Sequence, residues 1–517
     1  MGLGIARSRH QASHADRTSS VGNWVRPSRD FTVRIIVCER NAVKVSSWDL
    51  ARFFEPGGGC RPESNPWGAS PAPRSAAAAG SRQGTRMAHH RRRVIVVGTG
   101  LGGLLTGAFL ARRRHSVSFV EAQSLIGGRF THIDYQGFAV PTGAFHAFPG
   151  GVRGHLFHCL CKVGVHVPLV EPAPSVHVAT EGQLLPLHLD MTRSQSSELR
   201  KRMGVYRRGR VIRSSLSMLV GGMMGRDIPA AEGMRRIGGT EAGVRLLDHL
   251  TKFSLSVPAE EASAVELLRS IRSQRFGRDG FLVHGSGDMV TKLRTASESR
   301  GATFRTATPV RRIVVDGGRA RGVEIEGGEL LEADLVIANA GARRTLEMLG
   351  DAAPQDMIDR VGRLRSACGF THAVRSRRRM HEHSSIEITL DLEHIAGIMP
   401  VSNLSPFLCP EGWHFSLAYQ WLDPERDAQA QLEAGRGELR SHLGDDVDLM
   451  NTACYYGRNP TANIAQMIGQ HGKDRPPAQL PGIDGLYLVG HDVRGYGTAA
   501  ELVGESCLRL WRTLAKA

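Results

Sequence analysis

The most informative hydrophobic pattern lies at residues 94–121. Val94, Ile95, Val96 and Val97 are consecutive apolar residues, the signature of a parallel strand buried on both faces. Gly98, Gly100 and Gly103 follow in G-x-G-x-x-G spacing, with Leu101 and Gly102 between them. An apolar helical pattern then runs to about Arg114. A second apolar run, Val117 to Val120, ends on Glu121 and Ala122. Strand, glycines, helix, strand and acid in that order predict a dinucleotide site. Gly98 permits the tight turn, Gly100 lets backbone approach a pyrophosphate, and Gly103 lets helix and strand touch. The helix start offers free N–H groups and a partial positive charge to the pyrophosphate. Glu121 accepts from a ribose hydroxyl.

The remaining pattern divides the chain. Residues 1–86 are rich in Ser, Arg, Gly, Pro and Ala, and only Phe31 to Val37 looks strand-like, so disorder is expected there. The alternative to disorder is that Met87, seven residues before the first strand, is the true start. Residues 151–275 read as helical, with helix-like periodicity from Thr251 to Ile271 and Pro258 to Glu261 as an N-terminal turn. Basic Leu199–Arg213 precedes apolar Ser214–Gly225. That pair suits either an anionic bilayer surface or a packed core with a solvated arginine face. Gly285-Ser-Gly287 precedes a helix from Met289 to Glu298. Pro309–Val315 and Arg321–Ile325 read as a hairpin around Asp316-Gly-Gly318, and Ala333–Ala340 as a buried strand. Ile388–Leu392 and Trp413–Trp421 read as strands. Gly485–Asp492 reads as a last strand, before a helix to about Leu514.

Composition narrows the class. The 517 residues, 41% apolar with 60 glycines, suit a globular protein of two or three domains. The formal charge is +16, and residues 1–86 carry 13 Lys+Arg against 6 Asp+Glu. Nothing after residue 90 resembles a nucleic-acid module, so nucleic acid is excluded as a partner. Eight cysteines without a C-x-x-C pair fit a reducing compartment. No run reaches about 18 apolar residues, the length a transmembrane helix needs. The first 30 residues lack the apolar centre of a signal peptide. The expectation is a cytoplasmic protein able to contact the inner face of the membrane. No disulfide, metal cluster or Ser–His–Asp set is visible, and no metal is expected.

Leu125-Ile-Gly-Gly-Arg-Phe130 follows Glu121 within a few residues. With Gly485-Leu-Tyr-Leu-Val-Gly-His-Asp492 and Gly495–Glu501, the chain from about residue 90 onward resembles the flavin amine oxidase and phytoene desaturase superfamily, with its carotenoid desaturases and isomerases. Met399–Asn403 and Cys409–Trp413 match its carotenoid members loosely. The resemblance implies FAD as cofactor. Gly127 and Gly128 would then let backbone lie close to FAD, and Arg129 would donate to phosphate or flavin. Val310 would hold the adenine by its backbone, and Asn339 would close its strand near the cofactor. Gly490 and Asp492 would meet the ribityl chain or flavin, and the helix start at Gly497 and Thr498 would face the flavin N1/O2 edge. His146 and Tyr496 are the catalytic candidates. His146 is the one titratable group in a segment where Val140-Pro-Thr-Gly143 departs from the family by lacking an acid.

The implied fold is α/β, a Rossmann-like FAD-binding domain built from discontinuous segments (87–150, 276–345 and 481–517) plus an α+β substrate domain (151–275 and 346–480). The implied activity is FAD-dependent desaturation of an apolar isoprenoid by hydride transfer to the flavin, with isomerisation or saturation of such a polyene as variants. Amine or porphyrinogen oxidation ranks second, because Tyr496 is the only aromatic-cage candidate in the sequence. A prenyl-binding protein without flavin, as in Rab GDP-dissociation inhibitors, is the rival from another class. The intact Gly127-Gly128-Arg129 and Gly490-x-Asp492 argue against it. The expected partners are an apolar small molecule and, peripherally, a membrane.

Overall fold

The computed structural model describes residues 32–39, 42–49, 91–143, 145–187, 197–204, 208–224, 226–275, 279–455, 464–470 and 472–515. Two sheets organise it. In chain order the strands are β1 (Arg93–Val97), β2 (Ser116–Val120), β3 (Val176–Thr180), β4 (Gln183–Leu187), β5 (Thr303–Arg305) and β6 (Leu335–Ala338). Then come β7 (Gly369–Ser376), β8 (Ile386–Thr389), β9 (Ile395–Met399), β10 (His414–Trp421), β11 (Asp448–Tyr455) and β12 (Leu486–Leu488). The helices that matter here are α1 (Leu101–Arg112), α2 (Arg208–Met223), α3 (Glu241–Leu255), α4 (Gly285–Glu298), α5 (Ala428–Leu443) and α6 (Ala499–Leu514).

The nucleotide sheet is parallel throughout, in the order β5-β2-β1-β6-β12. The order reverses between β1 and β6, and ligands of open α/β sheets bind at such a switch point. Residues of β1 alternate between two cores. Val94 and Val96 pack on the side of α1, α4 and α6, while Ile95 and Val97 pack with Val310, Val323 and Leu346. All four are nearly inaccessible, and each stabilises the sheet by roughly 1.5–3 kcal/mol before entropy is counted. Helix α1 lies unusually close to this sheet, because a Cβ on Gly103 would come within 2.3 Å of the Gly98 carbonyl oxygen.

The second sheet is mixed, in the order β4-β3-β8-β9-β10-β7-β11, with β3 and β8 parallel and the other neighbours antiparallel. The α/β character read from the sequence holds. Three local readings change. Residues 151–275 are not helical throughout, because β3 and β4 enter the second sheet. The periodicity from Thr251 to Ile271 spans two helices, since α3 ends where Ser256 turns left-handed (φ 60°) and the next helix begins at Ala264. Pro258, with no N–H to donate, lies between them. The helix His155–Val163, placed by sequence among substrate residues, packs Leu156 and Leu160 into the nucleotide core.

The expected hairpin is present as Val310–Asp316 and Arg319–Ile325, with Leu330–Glu332 as a third strand. The strand-like stretch near the N-terminus forms Thr32–Glu39, paired antiparallel with Ala42–Asp49. The rest of the expected disorder, and the alternative start at Met87, lie outside the described residues. Among the described residues, Cys159, Cys161, Cys368, Cys409 and Cys507 are free thiols, and no helix is long and apolar enough to cross a membrane.

Candidate active site

Three strand ends meet at the switch point. Gly98, Asn339 and Gly490 follow β1, β6 and β12. The Asn339 N–H donates to Val97 O (2.8 Å), Val489 N–H donates to Ala338 O (3.0 Å), and Asn339 Nδ2 donates to Val489 O (2.7 Å). Asn339 Oδ1 is buried without a hydrogen-bond partner, and a Cβ on Gly100 would sit 2.7 Å from it. Helix α1 starts at Gly100 with no side-chain cap and no acid in its first turn, so its first N–H groups lack intrahelical acceptors. Leu101 and Gly102 line a cavity in front of them. An uncapped helix start, a bare glycine cradle and an unsatisfied buried acceptor together fit a nucleotide diphosphate.

Glu121 has two tasks. Its Oε2 accepts from the Thr99 N–H and hydroxyl (both 2.7 Å), and its Oε1 from the Gln123 N–H (3.0 Å). These bonds tie the glycine turn to β2, and Glu121 and Ala122 line the same cavity. Asp492 also lines it, and accepts from the Ala342 N–H at the start of the helix Ala342–Leu349. Helix α6 begins at Thr498 without a side-chain cap, and Thr498 to Ala500 border the same space.

That space is one cavity of ≈ 1240 Å³, above the roughly 300–1,000 Å³ usual for ligand pockets. Of the residues proposed from sequence, Gly98, Gly100, Leu101, Gly102, Glu121, Ala122, Gly128, Arg129, Val310, Asn339, Gly490, Asp492 and Thr498 all line it. Gly103, Gly127 and Gly497 stand behind the lining. Gly103 holds α1 against the turn. The Gly127 N–H donates to Thr99 O (3.1 Å), and Gly497 O accepts from Gln466 Nε2.

Neither catalytic candidate reaches the cavity. His146 is 1% exposed and faces away from it, while its neighbours Phe145 and Ala147 face in. The Ser286 N–H donates to its Nδ1 (3.1 Å) and its Nε2–H donates to Ala139 O (3.1 Å). Burial, then the nearby His132, pushes its pKa down to about 4. Both ring nitrogens are committed, so His146 is a neutral framework residue. Tyr496 packs its ring 3.9 Å from the Arg269 guanidinium, outside the lining.

The far end of the cavity is apolar. Helix α3 contributes Leu247, Leu250 and Phe253, and the second sheet contributes Val176, Ile386, Ile388 and Tyr419. Phe145 and Phe253 lie 5.6 Å apart by ring centroid, and Phe253 and Tyr419 6.3 Å. Tyr496 does not line the cavity, whereas these three rings do. They come from three distant segments with no common motif, so spacing could not find them. His491 was also missed, although it sits within Gly490-His491-Asp492. It lines the cavity with Nδ1 buried and unpartnered, and burial, then Arg475 and Arg129, holds its pKa well below the usual histidine range.

Comparison with known proteins agrees with this geometry. The family model for flavin containing amine oxidoreductases matches residues 101–507. The chain belongs to that family. It is an FAD-dependent oxidoreductase of the amine oxidase and carotenoid desaturase superfamily. An uncharacterized protein of Methanocaldococcus jannaschii is 23% identical over 407 residues, 78% of this chain and 94% of that one. A zeta-carotene-forming phytoene desaturase of Myxococcus xanthus is 27% identical over 289 residues, 50% of this chain and 55% of its own length. An oxidoreductase from Methanosarcina mazei shares the fold, with a TM-score of 0.70 at 23% identity, covering 81% of this chain and 100% of that one.

In this flavin-containing oxidoreductase the α1 start and Arg129 would hold the diphosphate, Glu121 the ribose, the Val310 backbone the adenine, and Asp492 the flavin end.

Proposed function

We propose that the chain desaturates an apolar, isoprenoid-type substrate. The observation that carries this reading is a single cavity that is polar and glycine-lined where the strand ends meet and walled by apolar side chains where α3 meets the second sheet. The cavity-lining residues of α3 (Leu247, Leu250, Phe253, Ser254 and Leu255) and of the second sheet (Val176, Thr371, Ile386, Ile388 and Tyr419) carry no charge. An ammonium substrate would be desolvated against those residues without gaining a charged partner from them, which costs several kcal/mol. A hydrocarbon gains by roughly 25 cal/mol for each Å² it buries. FAD supplies the hydride-accepting chemistry. The protein orients the polyene and excludes water, and this requires no acid or base from His146 or Tyr496. The similarity to carotenoid desaturases supports the same class.

The rings Phe145, Phe253 and Tyr419 favour amine oxidation as a second reading, because aromatic faces attract cations. The deciding experiment is turnover of phytoene, related polyenes and amines by FAD-loaded protein, with and without oxygen. Products lighter by two hydrogens per step support desaturation. Unchanged mass means isomerisation, added hydrogens mean saturation, and turnover of amines alone overturns the proposal.

Such a substrate resides in a bilayer, and we place the contact at α2. Leu216, Val220 and Met224, four residues apart, form one stripe and are 61%, 47% and 65% exposed. They follow the basic segment Leu199–Arg213. Co-sedimentation with anionic vesicles tests this, and Leu216→Asp with Val220→Asp should abolish it.

A further inference from the structure

Strand β8 presents its two faces to different environments. Ile386 and Ile388 line the large cavity. Glu387 lies between them in the alternation, so it belongs to the opposite face, and it is only 4% exposed. On that side it meets His442 of α5, whose Nε2–H donates to Oε1 (2.6 Å). The loop entering β8 brings two more imidazoles to the other carboxylate oxygen. His381 Nδ1 is 3.4 Å and His383 Nε2 3.1 Å from Oε2. Asn403 Nδ2 pins this loop by donating to both His381 O (2.8 Å) and His383 O (2.7 Å).

The arrangement places a ring nitrogen where its electron pair has no proton to receive. His383 Nδ1 lies 3.2 Å from Ser385 O, which can only accept, so the neutral ring carries its proton there. Its Nε2 then presents a lone pair to Glu387 Oε2, and two electron-rich atoms at that distance repel unless a cation lies between them. His381 adds a second nitrogen, and its Nε2 is buried with no hydrogen-bond partner. The ligand atoms of His381, His383 and Glu387 lie within 4.8 Å of one another. Ligands at about 2.0–2.1 Å from a tetrahedral zinc are about 3.3 Å apart, close to the two measured edges.

We propose that His381, His383 and Glu387 bind one divalent transition-metal ion, zinc by ligand type and spacing. His442 holds the free carboxylate oxygen and Ser385 O fixes the His383 tautomer. Metal sites orient their ligands through such outer hydrogen bonds. His177 stands beside Glu387 in the β3–β8 ladder with its ring 5.0 Å from that of His383, and it or water completes the coordination. The ion fastens α5 and the loop to the back of the wall whose front receives substrate. It is separate from the FAD site and takes no part in electron transfer. The H-x-H-x-x-x-E spacing was present in the sequence, but resembles no common zinc signature.

Full-length protein without a polyhistidine tag, dialysed against EDTA and titrated with Zn²⁺, tests the site by metal analysis after gel filtration. One zinc per chain is expected, with a raised thermal midpoint. Cobalt should give the visible d–d bands of a tetrahedral site. His383→Ala and Glu387→Gln should lose the metal yet keep bound FAD, and His442→Asn should weaken affinity about 10–100-fold. If a variant fails to fold, the cobalt spectrum of the wild-type chain decides. Wild-type protein that takes up no zinc above buffer background and gives no cobalt bands overturns the site. So does equal uptake by folded His383→Ala. The cluster is then a proton-shared imidazole–carboxylate network.

Discussion

The two ends of the cavity are built from different materials. At the cofactor end the frame is backbone, namely the turn at Gly98, the uncapped start of α1 and the strand end at Asn339, with the side chains of Glu121, Arg129 and Asp492 set around it. At the substrate end the contacts come from side chains of α3 and the second sheet, brought together from separate segments between Val176 and Tyr419. Backbone geometry depends on where glycines fall, so it leaves a spacing in the sequence. A wall of leucines, isoleucines and rings leaves none, because similar residues fill any core. A cofactor end can thus stay constant while the substrate end changes, and the two should respond separately to mutation.

Phe253→Asp tests the separation hardest. An uncompensated charge in the apolar wall should lower kcat/KM for a polyene at least about 100-fold while flavin content stays at wild-type level. Steady-state kinetics with flavin quantitation reads both. Gly100→Val is the converse. Its side chain would enter the space beside Asn339 Oδ1, and overpacking of about 1–3 kcal/mol should weaken FAD binding roughly 5–150-fold. The fraction of chains retaining flavin after gel filtration measures it.

His146→Gln belongs to neither end. It should cost about 1–3 kcal/mol of stability by disturbing the bonds to Ser286 and Ala139, with turnover per bound flavin unchanged. The sign of its pH dependence follows from a folded pKa of about 4 against about 6.5 unfolded. Above 6.5 the ring is neutral in both states and its stabilisation is complete. As pH falls toward 4 only the unfolded chain takes the proton, so stability drops, by about 3 kcal/mol over the whole window. Denaturant titrations at pH 7 and pH 4.5 should show a smaller difference in His146→Gln than in wild type. Tyr496→Phe should change least, with turnover within about twofold, because the ring packs on Arg269 away from substrate.

The same contrast explains what could be read beforehand. The order β1, α1, β2 was plain because a buried parallel strand is a continuous apolar run and the turn after it demands glycine. Strands β3 and β4 were hidden among helices, since they join the sheet only through β3 pairing with β8, some two hundred residues away. His146 drew attention as a titratable group in a significant segment, but its ring turns into the core while Phe145 and Ala147 face the cavity. His491, one residue from Asp492, was passed over because its role depends on burial beside Arg129 and Arg475, which no local pattern records.

The central claim is that one cavity holds FAD and an apolar substrate in contact. Its most direct test is anaerobic addition of phytoene to the FAD-loaded protein while following the visible flavin absorbance. The account predicts that the flavin bleaches and that the product is lighter by two hydrogens. A flavin that stays oxidised with phytoene and every related polyene, yet bleaches with an amine, would contradict it.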